Sequence, residues 1–251
     1  MTSPAERHMM RVSASETARR AAAPLRNATA YEQMLVKLAA DNRTLKQIRS
    51  NERKADKKRE LLPFYLPWVS GVLANGKGAQ DDIVMTVMLW RLDADDIAGA
   101  LEIARYAMTY GLTMPTGRRP TPYLLAEEVA LAAQRLRGAK QQVELANLLD
   151  TLALTERADM PDIVRAKLHK ITGYVLRDAE QLPEALAHLQ RAIQLESAIG
   201  VRKDIEQLER QLRPKPEPAP KTHKSKPRTR KVAEKPAARR GRPPKAAKAA
   251  G

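Results

Sequence analysis

Apolar side chains recur every three or four residues through almost the whole stretch from residue 28 to residue 212. This spacing places them on one face of an α-helix, whereas the alternation and β-branched runs that mark strands are missing from the sequence. The pattern therefore predicts an all-α fold. Prolines and glycines between the periodic segments indicate a long N-terminal helical segment followed by a body of shorter helices.

Charge is distributed unevenly along the 251 residues, whose net charge is +16. Residues 213–251 hold 14 Lys and Arg against 2 acidic residues, and residues 1–60 hold 14 against 7, whereas residues 61–212 hold 17 against 20. A near-neutral body with two basic ends is typical of a packed domain that carries nucleic-acid-binding appendages. We therefore expect DNA as a partner.

The composition also excludes several classes of protein. Cysteine is absent and the four histidines are widely separated, so a disulfide-stapled module, a thiolate metal site and a histidine-rich metal site are not expected. The longest apolar stretch, near Ile83 to Trp90, is too short to cross a bilayer, and the first residues lack the apolar core of a signal peptide. We expect no membrane partner and no cofactor of this chain's own.

Six parts can be distinguished along the chain. They are a flexible basic N-terminus (1–27), a long basic helix (28–62), a helical body (63–114), a loop (115–122), helical hairpins (123–212) and a basic tail (213–251). Pro63 is expected to end the long helix. The tail has 8 of the 17 prolines and no aromatic residue, so we expect it to be disordered.

The long helix over residues 28–62 has an apolar seam with charged interruptions. Two interpretations stay open, a coiled coil or helical hairpin that oligomerises the protein, and an amphipathic helix that packs on its own body. Five cations near its end are candidates for contacts with DNA phosphates, and a solvated helix end is the alternative. These candidates are Arg53, Lys54, Lys57, Lys58 and Arg59.

Three aromatic residues, Phe64, Tyr65 and Trp68, follow the basic segment. They could form a platform on which bases stack, but such a cluster more often anchors a helix to the core, and we favour the anchor.

The run from Gly71 to Gly78 resembles the first part of a phosphate-binding G-x-x-x-x-G-K loop. Gly78 stands where the Ser or Thr hydroxyl should follow Lys77, and no strand precedes the run. We predict a helix C-cap and a turn, and we reject ATP binding here.

Residues 166–197 resemble one degenerate tetratricopeptide repeat, which is a helical hairpin. Gly173, Ala185, Leu189 and Ala192 stand at the positions that such a repeat uses for close packing between its helices. A third helix up to Leu212 would cap the exposed face of the hairpin.

Three acidic clusters are candidates for metal-dependent chemistry, and they lie at residues 81–82, 93–96 and 127–128. Adjacent carboxylates on a helix point about 100° apart, so no pair is arranged in advance to share a metal ion. Asp81, Asp82, Asp95 and Asp96 fit helix N-caps and first turns instead. We therefore assign no catalytic residue.

One part of the tail is more specific than a generic basic linker. The core of an AT-hook lies extended in the narrow minor groove of A·T-rich DNA, where glycine permits close approach and proline holds the chain extended. The residues that resemble this motif are Arg239, Arg240, Gly241, Arg242, Pro243 and Lys245, with a second proline at Pro244.

Long strings of the sequence resemble the small terminase subunit of P two-like tailed phages. They include SPAERHMMRV at the start, KKRELLPFYLPWV near the end of the long helix, and QDDIVMTVMLWRLDADDIAGALEIARYAMTYG in the body. ADMPDIVRAKLHKITG, ALAHLQRAIQLE and RGRPPK continue the resemblance along essentially the full chain.

The resemblance implies a role in viral genome packaging in the cytoplasm of the host bacterium. A small subunit of this family recognises the packaging site on concatemeric double-stranded DNA and works with a large ATPase subunit that fills the procapsid. Endonuclease activity with Mg²⁺, ATP on the large subunit and a homo-oligomer are further implications. The alternative from the residues alone is a nucleoid-associated or adaptor DNA-binding protein without a nuclease role.

Overall fold

A computed structural model describes residues 29–115, 117 and 119–213. Within these residues the chain forms nine helices and no strand, so the predicted all-α fold is confirmed. The predicted N-terminus and basic tail lie outside the described residues. The helices are α1 (Ala30–Gln47), α2 (Asn51–Asn75), α3 (Asp82–Asp93), α4 (Ile97–Tyr110), α5 (Thr121–Gly138), α6 (Leu145–Thr155), α7 (Asp162–Asp178), α8 (Leu182–Leu195) and α9 (Arg202–Leu212).

Helix α3 is the centre of the fold. Seven of its twelve residues are buried, and they are distributed around the whole circumference of the helix. A helix that is apolar on all sides has to be covered on all sides, and α2, α4 and α5 pack against it. The C-terminal end of α3 is therefore surrounded by three other helices, and the candidate interface lies there.

The prediction of one long helix over residues 28–62 is wrong in two respects, the continuity of the helix and the residue at which it ends. The chain leaves the helix at residues 48–50, and α2 then continues through Pro63 and Pro67 to Asn75. A proline inside a helix removes one backbone hydrogen bond, at a cost of roughly 3 kcal/mol. Core packing offsets this cost, because the fully buried Tyr65 lies edge-on to Trp90 of α3 with ring centroids 5.6 Å apart.

Helices α1 and α2 are joined through a buried carboxylate. The Tyr65 hydroxyl donates to Oδ2 of Asp41 at 2.5 Å, and the Lys37 ammonium donates to both oxygens at 2.7 and 2.6 Å. Burial raises the pKa of the Tyr65 hydroxyl, so it remains a donor. Leu38 and Leu45 of α1 are buried as well, which matches the interpretation of a helix packed on its own body. The oligomeric state stays a prediction.

The loop predicted over residues 115–122 is shorter in the structure. Helix α5 already begins at Thr121, because the buried Thr121 hydroxyl donates to the carbonyl oxygen of Leu112 at 2.7 Å and fixes the start of the helix.

Helices α7 and α8 form the hairpin predicted between residues 166 and 197. A Cβ atom on Gly173 of α7 would lie 2.8 Å from Cγ of Leu189 and 3.2 Å from the carbonyl oxygen of Ala185. The glycine therefore lets the two helices approach closely, and α9 covers α8 through the buried Leu208. The hairpin is confirmed, and its kinship to a tetratricopeptide repeat stays a prediction.

Two histidines meet across the same hairpin. Nδ1 of His169 lies 3.0 Å from Nδ1 of His188, and both rings are partly buried. Burial lowers the pKa of His169 to about 4 and also lowers the pKa of His188. The neighbouring guanidinium groups of Arg165 and Arg191 add to the effect on His169, so both rings are neutral at pH 7.

Replacing Gly173→Ala is expected to destabilise the protein by about 1–3 kcal/mol, because the new methyl group has to displace the buried Leu189. The matched control is Gly71→Ala in α2, where a Cβ would meet nothing within 4 Å. There the change should be neutral or stabilise by up to about 1 kcal/mol through helix propensity. Urea unfolding of both variants measures the difference, and equal midpoints would contradict the close packing.

The free energy of unfolding should also decrease as the pH is lowered from 7.5 to 5. The pKa of His169 is lowered in the folded state, so the unfolded chain binds protons first as the pH drops below about 6.5. We expect a loss of about 1 kcal/mol between pH 7.5 and pH 5, a value reduced for solvent screening of the partly exposed ring. Urea titrations at both pH values test this, and His169→Gln should remove most of the difference.

Candidate nucleic-acid interface

All five cations predicted as a phosphate-contacting face lie in the first three turns of α2. Ser50 caps this helix by accepting a hydrogen bond from the backbone N–H of Arg53 at 3.3 Å. Arg53 and Lys54 therefore lie in the first turn beside the cap, and the other three cations lie one to two turns further on. The structure separates these two groups by the partners they meet.

The three later cations are neutralised by carboxylates. Lys58 pairs with Asp93 at the end of α3, and Lys57 pairs with Glu60 at 2.6 Å. Arg59 lies 2.7 Å from Asp56, and a further hydrogen bond of 3.2 Å runs from its Nη2 to an oxygen of the carboxylate at residue 95. Lys58 and Arg59 are thus paired with the turn after α3, whereas Lys57 forms an exposed pair along α2 itself.

Asp95 pairs with cations from two different helices. Its backbone has φ of 66°, a left-handed conformation that aspartate tolerates better than most residues. In this position one carboxylate oxygen lies 2.9 Å from Nη2 of Arg135 on α5 and the other lies 3.2 Å from Arg59 on α2. The Arg135 guanidinium also donates to the carbonyl oxygen of Leu92 at 2.8 Å. The turn after α3 therefore ties α2 to α5.

The cleft between these helices has no net charge. Its volume is about 600 Å³, and its walls carry four cations and four carboxylates. Three of these four cations pair with carboxylates and the charges of the wall balance, so the cleft does not attract DNA phosphates strongly. The charged residues of the wall are Glu52, Lys54, Asp56, Lys58, Arg59, Asp93, Asp95 and Arg135.

A different group of cations has no acidic partner within the described part of the chain. Together they flank the break between α1 and α2 at residues 48–50, and we call them the basic elbow. Four are exposed and one is partly buried. The members of the basic elbow are Arg43, Lys46, Arg49, Arg53 and Lys54.

Sequence reasoning missed three members of the basic elbow, Arg43, Lys46 and Arg49. It treated residues 28–62 as one helix and considered only the cations near the end of that helix. The break brings the end of α1 and the start of α2 to one corner of the molecule. The signal that could have located the break is Ser50, an N-cap residue type placed just before Asn51.

The aromatic cluster anchors α2, as the sequence indicates. Trp68 stacks on Tyr31 of α1 with ring centroids 5.9 Å apart, and its Nε1 donates to Oδ2 of Asp81 at 2.9 Å. Together with the buried Tyr65, it fixes α2 on the core. Phe64 is 52% exposed, with the Lys37 ammonium 4.8 Å from its ring centroid.

The acidic clusters have structural roles. Asp81 caps α3 by accepting from the backbone N–H groups of Ile83 and Val84, and Asp96 caps α4 through the N–H of Gly99 at 2.9 Å. These caps confirm the interpretation made from the sequence for Asp81 and Asp96. The same interpretation is wrong for Asp95, which lies in the turn before the cap and pairs with Arg59 and Arg135 instead. Gly76 ends α2 as its C-cap, in agreement with the prediction of a cap and turn.

The third acidic pair, Glu127 and Glu128, lies near Asp93 of the neutral cleft beside α2. Glu127 pairs with Arg119, and burial raises the pKa of Glu128, with the Asp93 carboxylate adding to the effect. Among the described residues no three acidic or histidine side chains gather closely enough to hold a metal ion.

The candidate AT-hook, Arg239 to Lys245, lies outside the described residues and stays a prediction. The part of the chain that the structure describes contains no helix both long and apolar enough to cross a membrane.

Comparison with known proteins decides the family. The model of the family described as phage small terminase subunit matches residues 35–163, slightly more than half of the chain. The chain belongs to this family. The matched residues include most of α1, the whole of α2 to α6, and therefore the basic elbow and the neutral cleft.

Individual relatives agree with this membership. The chain is 68% identical over 249 residues to the protein of Escherichia phage P2 named "Terminase, endonuclease subunit", with 98% of this chain and 100% of the relative covered. It is 27% identical over 191 residues to "Probable terminase, endonuclease subunit" of Haemophilus phage HP1, covering 70% of this chain and 68% of the relative. No solved structure matches the chain. Membership of the small terminase subunits favours a packaging role over the nucleoid-associated alternative.

Proposed function

We propose that this small terminase subunit binds double-stranded DNA through the basic elbow and its two basic terminal segments. The observation that carries the proposal is the contrast between two cations of α2 and the cations at the end of α1 and in the break. Lys58 and Arg59 face carboxylates, whereas Arg43, Lys46 and Arg49 have no acidic partner among the described residues. Cations that are free in the folded protein can replace the counterions of DNA phosphates, which gives salt-dependent affinity.

The terminal segments would supply most of this affinity. Residues 214–251 hold 13 Lys and Arg against 2 acidic residues. The AT-hook-like residues around Gly241 would add a preference for the narrow minor groove of A·T-rich DNA. The elbow, carried by two helices fixed to the core, would set the orientation of the duplex on the folded body.

The same proposal includes partners and location. The subunit assembles with a large terminase subunit that binds ATP, acts as a homo-oligomer, and works on concatemeric DNA in the host cytoplasm. The family description and the names of the two relatives, which call them terminase subunits, support assembly with another subunit. The exposed apolar side chains Val36 and Phe64 on the outer faces of α1 and α2 are compatible with contacts between copies.

The DNA-binding role is tested by the triple variant Arg43→Gln, Lys46→Gln, Arg49→Gln in the full chain. Each phosphate contact contributes about 0.9 to the slope of log affinity against log salt concentration, so the slope should fall by about 2–3. Fluorescence anisotropy with a labelled duplex measures it. Removing residues 214–251 should flatten the slope further.

The control removes three positive charges elsewhere on the described surface, and it should change the slope by much less. An equal effect of control and elbow variants would show that net charge alone governs binding. The control substitutions are Lys77→Gln, Lys140→Gln and Arg157→Gln, at exposed positions without an ion pair among the described residues.

DNA cleavage is proposed to require the complex of both subunits, because the described acidic clusters are occupied by caps and ion pairs. The isolated subunit with Mg²⁺ should leave supercoiled plasmid intact, and addition of the large subunit should produce nicked or linear DNA on an agarose gel. Nicking by the isolated subunit that disappears in Asp95→Asn would contradict this assignment. Asparagine also tolerates the left-handed backbone at residue 95, so the fold should persist.

A further inference from the structure

A second surface, separate from the basic elbow, is formed by residues in the C-terminal half of the chain. It is a groove of about 700 Å³ between α6, α7 and α8, and we call it the α6–α8 groove. Helix α6 contributes an apolar floor that includes Leu149, Leu152 and Ala153. Leu149 is 42% exposed although its side chain is large and apolar. The exposed leucine therefore offers an apolar contact to whatever binds in the groove.

The walls of the α6–α8 groove are cationic. Arg165 is held in place by hydrogen bonds from Nη2 to the carbonyl oxygens of Thr155 and Ala158, at 3.4 and 2.9 Å. Arg191 is exposed, and its described hydrogen bond goes to the side chain of Gln194 at 3.3 Å. Neither guanidinium group forms an ion pair within the described residues, so both have donors available for a carboxylate or a phosphate.

Two imidazole rings lie between the guanidinium groups. His169 and His188 touch through their Nδ1 atoms at 3.0 Å, which leaves Nε2 of each ring for another partner. Glu156 is the one acidic residue that the described lining of the groove contains. The groove is therefore rich in hydrogen-bond donors and poor in negative charge, in contrast to the neutral cleft beside α2.

The cationic and apolar side chains that line the groove favour one kind of binding partner. The chain's own ends are excluded, because residues 1–28 and 214–251 are both strongly basic and would be repelled by Arg165 and Arg191. Duplex DNA matches the charge, but its phosphate backbone offers no apolar group to cover Leu149. A polypeptide segment with an acidic residue next to a large apolar residue satisfies both features at once.

We propose that the α6–α8 groove docks an acidic, amphipathic segment of the large terminase subunit. This inference rests on the proposed function, which makes that subunit the partner. The segment places an apolar side chain over Leu149 and Leu152, and an Asp or Glu carboxylate accepts hydrogen bonds from Arg191. Both contacts thereby exclude water. Contacts that exclude water in this way contribute most of the binding energy of an interface.

The test uses the full chain and the purified large subunit, with affinity measured by isothermal titration calorimetry. Leu149→Glu and Arg191→Glu should each weaken the complex by about tenfold or more. Both side chains are exposed, so the fold and the affinity for duplex DNA should be retained. The second variant keeps the test valid if the first one unfolds.

The matched controls are Leu131→Glu on α5, where the leucine is 36% exposed, and Lys77→Glu between α2 and α3. Both should bind the large subunit as the unaltered chain does. Unchanged binding by the two groove variants would overturn the inference and leave the proposed function intact. A loss of DNA affinity in Arg191→Glu without loss of large-subunit binding would make the groove a phosphate surface and would also overturn it. If the unaltered chain does not bind the large subunit, the proposed function itself fails.

Discussion

The carboxylates at the turn between α3 and α4 decide how this protein distributes its positive charge. Asp93 and Asp95 face cations of α2, and Asp95 also faces Arg135 of α5. These contacts tie three helices together at the end of the central helix. They also neutralise the cations of the cleft, whereas the five cations of the elbow keep their charge unpaired among the described residues.

The position of the elbow depends in turn on how α2 is held. Tyr65 and Trp68 fix the second half of the helix on α3 and α1, and the helix persists through Pro63 and Pro67. The first half then extends past the neutral cleft to Ser50, where the chain turns into α1. Aromatic packing in the second half of α2 thus fixes the direction of the helix, and with it the position of the unpaired cations at its first residues.

Two surfaces with different chemistry follow from this architecture. The basic elbow is polar and charged throughout, which suits the sugar–phosphate backbone of DNA. The α6–α8 groove combines Leu149 with two guanidinium groups, which suits an acidic and apolar polypeptide. The elbow lies within the residues that the family model matches, whereas most of α7 and all of α8 lie beyond residue 163.

The sequence by itself determined the helical fold, the caps at Asp81 and Asp96, the ends at Gly76 and Gly111 and the hairpin around Gly173. These features depend on hydrogen bonds within a few residues or on apolar periodicity, which one stretch of chain contains in full. Only the tertiary structure decided that α2 passes through two prolines, that Lys58 and Arg59 are neutralised, and that His169 meets His188. Each of these outcomes depends on a partner that lies at least 19 residues away in the sequence, and local spacing does not specify which distant side chains will meet.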